Sequence, residues 1–232
     1  TCCTHVQNLE SDENLADLIS RLVSLIWKND GITPGQIDAQ SVQLFAQKLL
    51  AALNENFTPI GSLDTSTQNG QLLQMLTKNI WHFAAAKNYS ELKQLSNALL
   101  DNEGNVRSFA DFKYEATKII TNFNKNWLET EYNHAIAVSQ MATKWQNFTA
   151  NGSDPILEYD AILDNGTTQL CRGLDKTRLK SSHPFWQQFY PPNHWACRST
   201  VRVLNNATET PESQIGYAEI PKAFRTNFVT QQ

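Results

Sequence analysis

Four side chains in the C-terminal third carry donor atoms of the kind zinc takes: Cys171, His183, His194 and Cys197. His194 and Cys197 stand three residues apart, close enough to point the same way from one tight turn. Cys171 and His183 lie upstream and can complete a tetrahedral set of two Cys and two His around a structural zinc ion. The spacing matches none of the common zinc signatures, and there is no Cys-x-x-Cys pair. Two other readings therefore stand beside the metal: a Cys171–Cys197 disulfide, or two free thiols buried as small apolar groups. A nucleophilic Cys197 activated by His194 would need a third group to orient the imidazole and an oxyanion site, and neither is recognisable. Glu131-x-x-His134 has the spacing of a carboxylate-bridged metal motif, but no second copy exists, so it reads as the outer face of a helix. There is no phosphate-cradling Gly-rich loop, no Gly-x-Ser-x-Gly elbow and no His-Glu-x-x-His. Enzymatic chemistry would have to be metal-dependent and centred on the Cys/His set, as in a nuclease or a toxin-like effector.

The segment that must hold two of these donors is HPFWQQFYPPNHWACRST, residues 183–200. Pro191 and Pro192 each fix φ near about −65°, and the first of them forces Tyr190 into an extended conformation. Asn193, His194 and Trp195 then leave the double proline at a set angle with little entropy to lose. Trp186, Phe189, Tyr190 and Trp195 are expected to cover the apolar face of a small core. Arg172 and Arg198 need acidic partners wherever they are partly buried, and Asp160 and Asp164 are the candidates. The run CRGLDKTRLKSSH, with Arg172, Lys176, Arg178 and Lys180, reads as a solvated basic loop.

Upstream, the apolar period is helical. Leu15, Leu18, Ile19, Leu22, Leu25 and Ile26 make one stripe from about Asp12 to Lys28, closed by KNDG. A second helix carries Val42, Phe45, Leu49 and Leu53. A third carries Leu72, Leu73, Leu76, Ile80 and Phe83, and a fourth Leu92, Leu95 and Leu99. Ser108 with Asp111 three residues later is a capping-box variant that opens a long helix over 108–148, with a kink or break expected in NFNKN, Asn122–Asn126. After NGSDP the pattern turns strand-like in ILEYDAIL and again in TVRVL. The fold class that follows is α+β, predominantly α-helical. A helical N-terminal region covers residues 1–105. A second region, 106–232, comprises the long helix, a small irregular α+β module at 150–210 and a tail.

The 232 residues are enough for a sizeable core, and 41% of them are hydrophobic. No apolar run approaches the ~20 residues that span a bilayer, and no signal peptide is visible, so no membrane role is expected. The opening TCCTHVQ lacks Met and reads as a processed or trimmed N-terminus. A net charge of −4 argues against a nucleic-acid clamp, and four cysteines (Cys2, Cys3, Cys171 and Cys197) are too few for a disulfide-dense secreted scaffold.

The stretch YDAILDNGTTQLCRGLDK together with HPFWQQFYPPNHWACRSTVRVL resembles the C-terminal module of the phage Mu F-like family, also called phage head morphogenesis or minor capsid proteins. The preceding NKNWLETEYNHAIAVSQMATKWQNF is similar to the helix that leads into that module, especially in versions from phages and prophages of Bacteroides-type bacteria. The resemblance covers about residues 108–228. The family pattern falls on Asp164, Thr168, Cys171, Phe185, Trp186, Pro191, Pro192, Asn193, Cys197 and Arg198. The family usually ends the motif Cys-Arg-Cys, where this chain has Ser199, and often has His where this chain has Cys171. An exchange of His and Cys is one a metal ligand tolerates. The resemblance implies a structural, non-enzymatic protein with portal and capsid proteins as partners and transient contact with DNA. It also implies a place in the virion and, during assembly, in the host cytoplasm. Neither stoichiometry nor oligomeric state follows from it.

Overall fold

The structure is a computed structural model that describes residues 12–58, 64–221 and 224. Cys2 and Cys3 lie outside the described residues. The fold is predominantly helical α+β with a small antiparallel sheet in the C-terminal part. The described chain divides into two units, neither contiguous in sequence. One takes the described residues up to Gln47 together with Trp81–Glu129. The other takes Lys48–Ile80 together with the described residues from Thr130 onward.

In the first unit, α1 runs over Asp12–Lys28, the bounds its apolar stripe predicts. Leu22 and Ile26 are fully buried. The helix ends as KNDG suggests: Gly31, at φ 109°, donates its N–H to the Ile26 carbonyl, a bond that closes the last turn. Asp38 caps α2 (Ala39–Asn56) by accepting the Ser41 N–H at 2.8 Å, and its other carboxylate oxygen takes Arg21 at 2.5 Å.

The expected third and fourth helices are one helix, α3 (Gln68–Asn97). Its Leu72 and Leu76 serve the core of the second unit, and its Leu92, Leu95 and Leu99 that of the first. The stripe therefore breaks between them. The backbone does not, because Ala84, Ala85, Ala86 and Lys87 are strong helix formers.

Ser108 caps α4 (Phe109–Thr121) as its spacing predicts: its Oγ accepts the Asp111 N–H and donates back to the Asp111 carboxylate at 2.6 Å. The expected kink or break at Asn122–Asn126 is a π-helical turn that leads without interruption into α5 (Trp127–Thr149). The Trp127 N–H reaches the Asn122 carbonyl five residues back. Asn124 donates to the Ile120 carbonyl and to Glu91, both at 2.8 Å, which gives this poor α-former a reason to sit there.

The second unit is built on a sheet of order β2-β1-β3, with β1 at Ile156–Asp160, β2 at Arg178–Lys180 and β3 at Thr200–Leu204. The first and last of these are the two predicted strands. β2 corrects the expectation of a solvated basic loop: only Leu179 points inward there, and a lone inward residue between two charged ones leaves no strand signature. Leu157 and Tyr159 of β1 face the core, which also takes Trp145, Trp186, Tyr190 and Val201. The opposite face of β1 carries Glu158, paired in register with Arg178 on one side and Arg202 on the other. Two short helices complete the unit, α6 at Gln169–Leu174 and α7 at Phe185–Phe189.

Candidate metal centre

Thr168 caps α6. Its Oγ accepts the Cys171 N–H at 3.3 Å, which sets Cys171 one turn in and facing the core, 2% exposed. The Tyr159 hydroxyl of β1 meets the Cys171 sulfur at 3.5 Å from below. Here a residue of the central strand touches the site, a role its sequence position does not reveal.

The 183–200 segment supplies the other side. Trp186, Phe189 and Tyr190 are buried as expected; Trp186 donates its indole N–H to the Lys180 carbonyl, and Tyr190 its hydroxyl to that of Met141. Tyr190 is extended ahead of Pro191 and Pro192, at ψ 123°. Asn193 is 1% exposed and donates through Nδ2 to the Phe189 carbonyl at 2.9 Å and to the Tyr159 hydroxyl at 3.2 Å. That anchor fixes where the next residues begin. His194 and Cys197 then close a tight turn, with the Cys197 N–H on the His194 carbonyl at 3.2 Å and Ala196 at φ 55°. Trp195 departs from the expected core-covering role. It is 41% exposed, and its ring packs against His134 and Phe224.

The turn delivers three donors to one point. The ligating atoms of Cys171, His194 and Cys197 all lie within 4.8 Å of one another. His194 Nε2 is 3.2 Å from the Cys171 sulfur and 3.2 Å from Thr168 Oγ1, and the two sulfurs are 3.8 Å apart. Both thiols are free, since a disulfide holds its sulfurs at about 2.05 Å. The hydrogen bond between them splits their acidities. Cys197 is pushed down to about 6 chiefly by the bond it receives from Cys171, against burial, and Cys171 is pushed up to about 12 by that bond and by burial. The nearby Ser199 hydroxyl works against burial at both, favouring the thiolates.

His183 stands elsewhere. Its Nδ1 accepts the Phe185 N–H at 3.1 Å at the start of α7, and its Nε2 lies 3.8 Å from Glu212. His134, expected on an outer helix face, is instead partly enclosed between Trp195 and Phe224. Burial, with the neighbouring His194, pushes it down to about 4, so it is neutral at pH 7.

Arg198 clamps Asp164 with two bonds of 2.6 and 2.7 Å and holds its carboxyl well below the usual range. Arg172 donates to the Asp164 backbone carbonyl. Of the two expected acidic partners, Asp164 thus meets both arginines, while Asp160 pairs with Lys176 at 2.6 Å. The cleft beside the sulfurs, lined by Thr168, Cys171, His194, Arg198 and Ser199 among others, has about 10 Å³ of free volume. That is room for about one water, far below the ~300 Å³ at which small-molecule sites begin.

A family model described as phage Mu protein F like protein matches residues 63–202, from the turn before α3 through most of β3. No curated protein and no solved structure matches the chain.

Proposed function

Because the chain belongs to the phage Mu protein F-like family, a family of phage head proteins, we propose that it is a minor head protein that acts in head morphogenesis by docking near the portal. The family match carries this reading, and it covers the motif residues Asp164 to Arg198 in full. Two features support a protein that works by binding rather than turnover. The cleft at the Cys/His cluster holds no more than a water or an ion, so a substrate has nowhere to lie against the thiols. The first unit exposes large aromatic side chains along its helices, Tyr114 at 64% and Trp127 at 41%, of the kind that anchor protein interfaces. Capsid and portal proteins are the partners in this reading, in the virion and, during assembly, in the host cytoplasm. Contact with DNA is transient, because a net charge of −4 supplies no field to hold a phosphate backbone. No described helix is long and apolar enough to cross a membrane.

The test is co-sedimentation of the purified chain with the portal ring of its own phage, together with immunodetection in procapsids and virions. The reading expects a chain that pellets with the ring and is present in few copies per head. A chain absent from both particles overturns it.

A further inference from the structure

We infer that Cys171, His194 and Cys197 bind one zinc ion, which ties α6 to the 194–199 turn, with the fourth position taken by a water held by the Ser199 hydroxyl. This does not rest on the head-protein reading, since docking and metal content are measured separately.

The donor geometry fits the ion. Two thiolates on a tetrahedral zinc at about 2.3 Å stand about 3.8 Å apart, and a thiolate and an imidazole nitrogen about 3.5 Å apart. The observed separations are 3.8 Å between the sulfurs and 3.2 Å from the Cys171 sulfur to His194 Nε2. A small outward shift of the imidazole brings the second to the zinc value.

The imidazole is already in the ligating tautomer. His194 Nδ1 lies 2.7 Å from the Trp195 carbonyl, which has no proton to give, so Nδ1 carries the hydrogen and Nε2 presents its lone pair to the sulfurs. A backbone carbonyl on the far nitrogen is the usual outer support of a zinc-bound histidine. Charge balances as well. Each thiol loses one proton to solvent, and two thiolates, a neutral imidazole and the dication sum to zero, which suits a cluster with Cys171 buried and the other two half-buried. The free volume of about 10 Å³ beside the cluster has room for the single water that three protein ligands leave to complete the tetrahedron. Ser199 lines the same cleft as Cys171 and His194, which places its hydroxyl to hold that water.

The experiment uses the full chain, purified without added metal and without chelator. Elemental analysis is expected to find about one zinc per chain, and cobalt substituted for it should give thiolate-to-metal charge transfer and the intense visible bands of a tetrahedral ion. Cys171→Ser and His194→Ala lose the bound zinc, whereas replacing Cys2 and Cys3 by Ser leaves it. Ser199→Cys keeps the fold, holds zinc more tightly against a chelator and strengthens the charge-transfer band by adding a thiolate. A metal-free wild-type chain that takes up no cobalt overturns the inference. So does an intact mass showing Cys171 and Cys197 oxidised to a disulfide in the native protein, or a Ser199→Cys chain with unaltered metal affinity. The last outcome keeps the test decisive even where the ligand-deleting variants fail to fold.

Discussion

Glu91 in the first unit and Glu158 in the second are both wholly out of solvent, yet their carboxyls respond in opposite directions. Burial pushes Glu91 up to about 7, against bonds from the Asn124 and Asn88 amides and the more distant charge of Lys87. Burial would push Glu158 up too, but Arg178 at 2.6 Å, Arg202 at 2.5 Å and Lys176 at 3.4 Å outweigh it, and the group titrates below its ordinary value. The partners explain the difference. Around Glu91, helices supply neutral amides from Asn88, three residues back, and from the π-helical turn. Around Glu158, sheet register places an arginine directly opposite on each flanking strand, with guanidinium groups half in water that need not be desolvated to help. Burial alone does not decide the state of a carboxyl; the charge of what faces it does.

The comparison is broken most severely at Glu158. Glu158→Gln leaves three cations converging on an uncharged amide, and it should cost about 3 kcal/mol at pH 7, read from urea unfolding. An unchanged midpoint would show that the arginines are satisfied by solvent and that the ion cluster is ornamental.

The next largest effect has the opposite sign. Because Glu91 in the folded chain titrates near 7, above its ordinary 4.5, its contribution to stability is complete below pH 4.5 and is lost as pH rises through about 7. Glu158, depressed, contributes above its ordinary range and loses that contribution as pH falls. Glu91→Gln should therefore stabilise the protein by about 2 kcal/mol at pH 8 and remove the decline between pH 5 and pH 8. Parallel pH–stability curves for variant and wild type would refute the assignment.

The finest test is Asn124→Ala. It deletes the 2.8 Å bond to Glu91, should cost about 1 kcal/mol, and should raise the Glu91 titration further, as followed by carboxyl NMR. A fall in that titration would mean that Asn124 is not what steadies the charged form.

These contrasts also mark how far the sequence could be read. α1 is found at Asp12–Lys28, TVRVL is β3, and the Ser108–Asp111 cap opens α4, because a 3.6-residue stripe, an alternating run and a capping pair are local signals. α3 reads as two helices, since its halves feed different cores and the stripe is interrupted where the helix is not. β2 is invisible because three residues with charged ends look like a loop until a neighbouring strand pairs with them. In the candidate metal centre, residue type alone singles out Cys171, His183, His194 and Cys197 on equal terms. Only the turn after Asn193 and the cap on α6 separate the three that meet from His183, which bonds at the start of α7.

The sequence by itself determined the helical periods, the caps, the rigid double-proline loop and, through its motif, the resemblance to phage head proteins. Each of these is written in neighbours a few residues apart. The meeting of donors 23 and 26 residues apart, the register that sets Glu158 between two arginines and the neutral surroundings of Glu91 were decided by tertiary structure. These depend on which surfaces close on one another, and the free energy of a buried charge or a metal cluster depends on every group around it rather than on its own place in the chain.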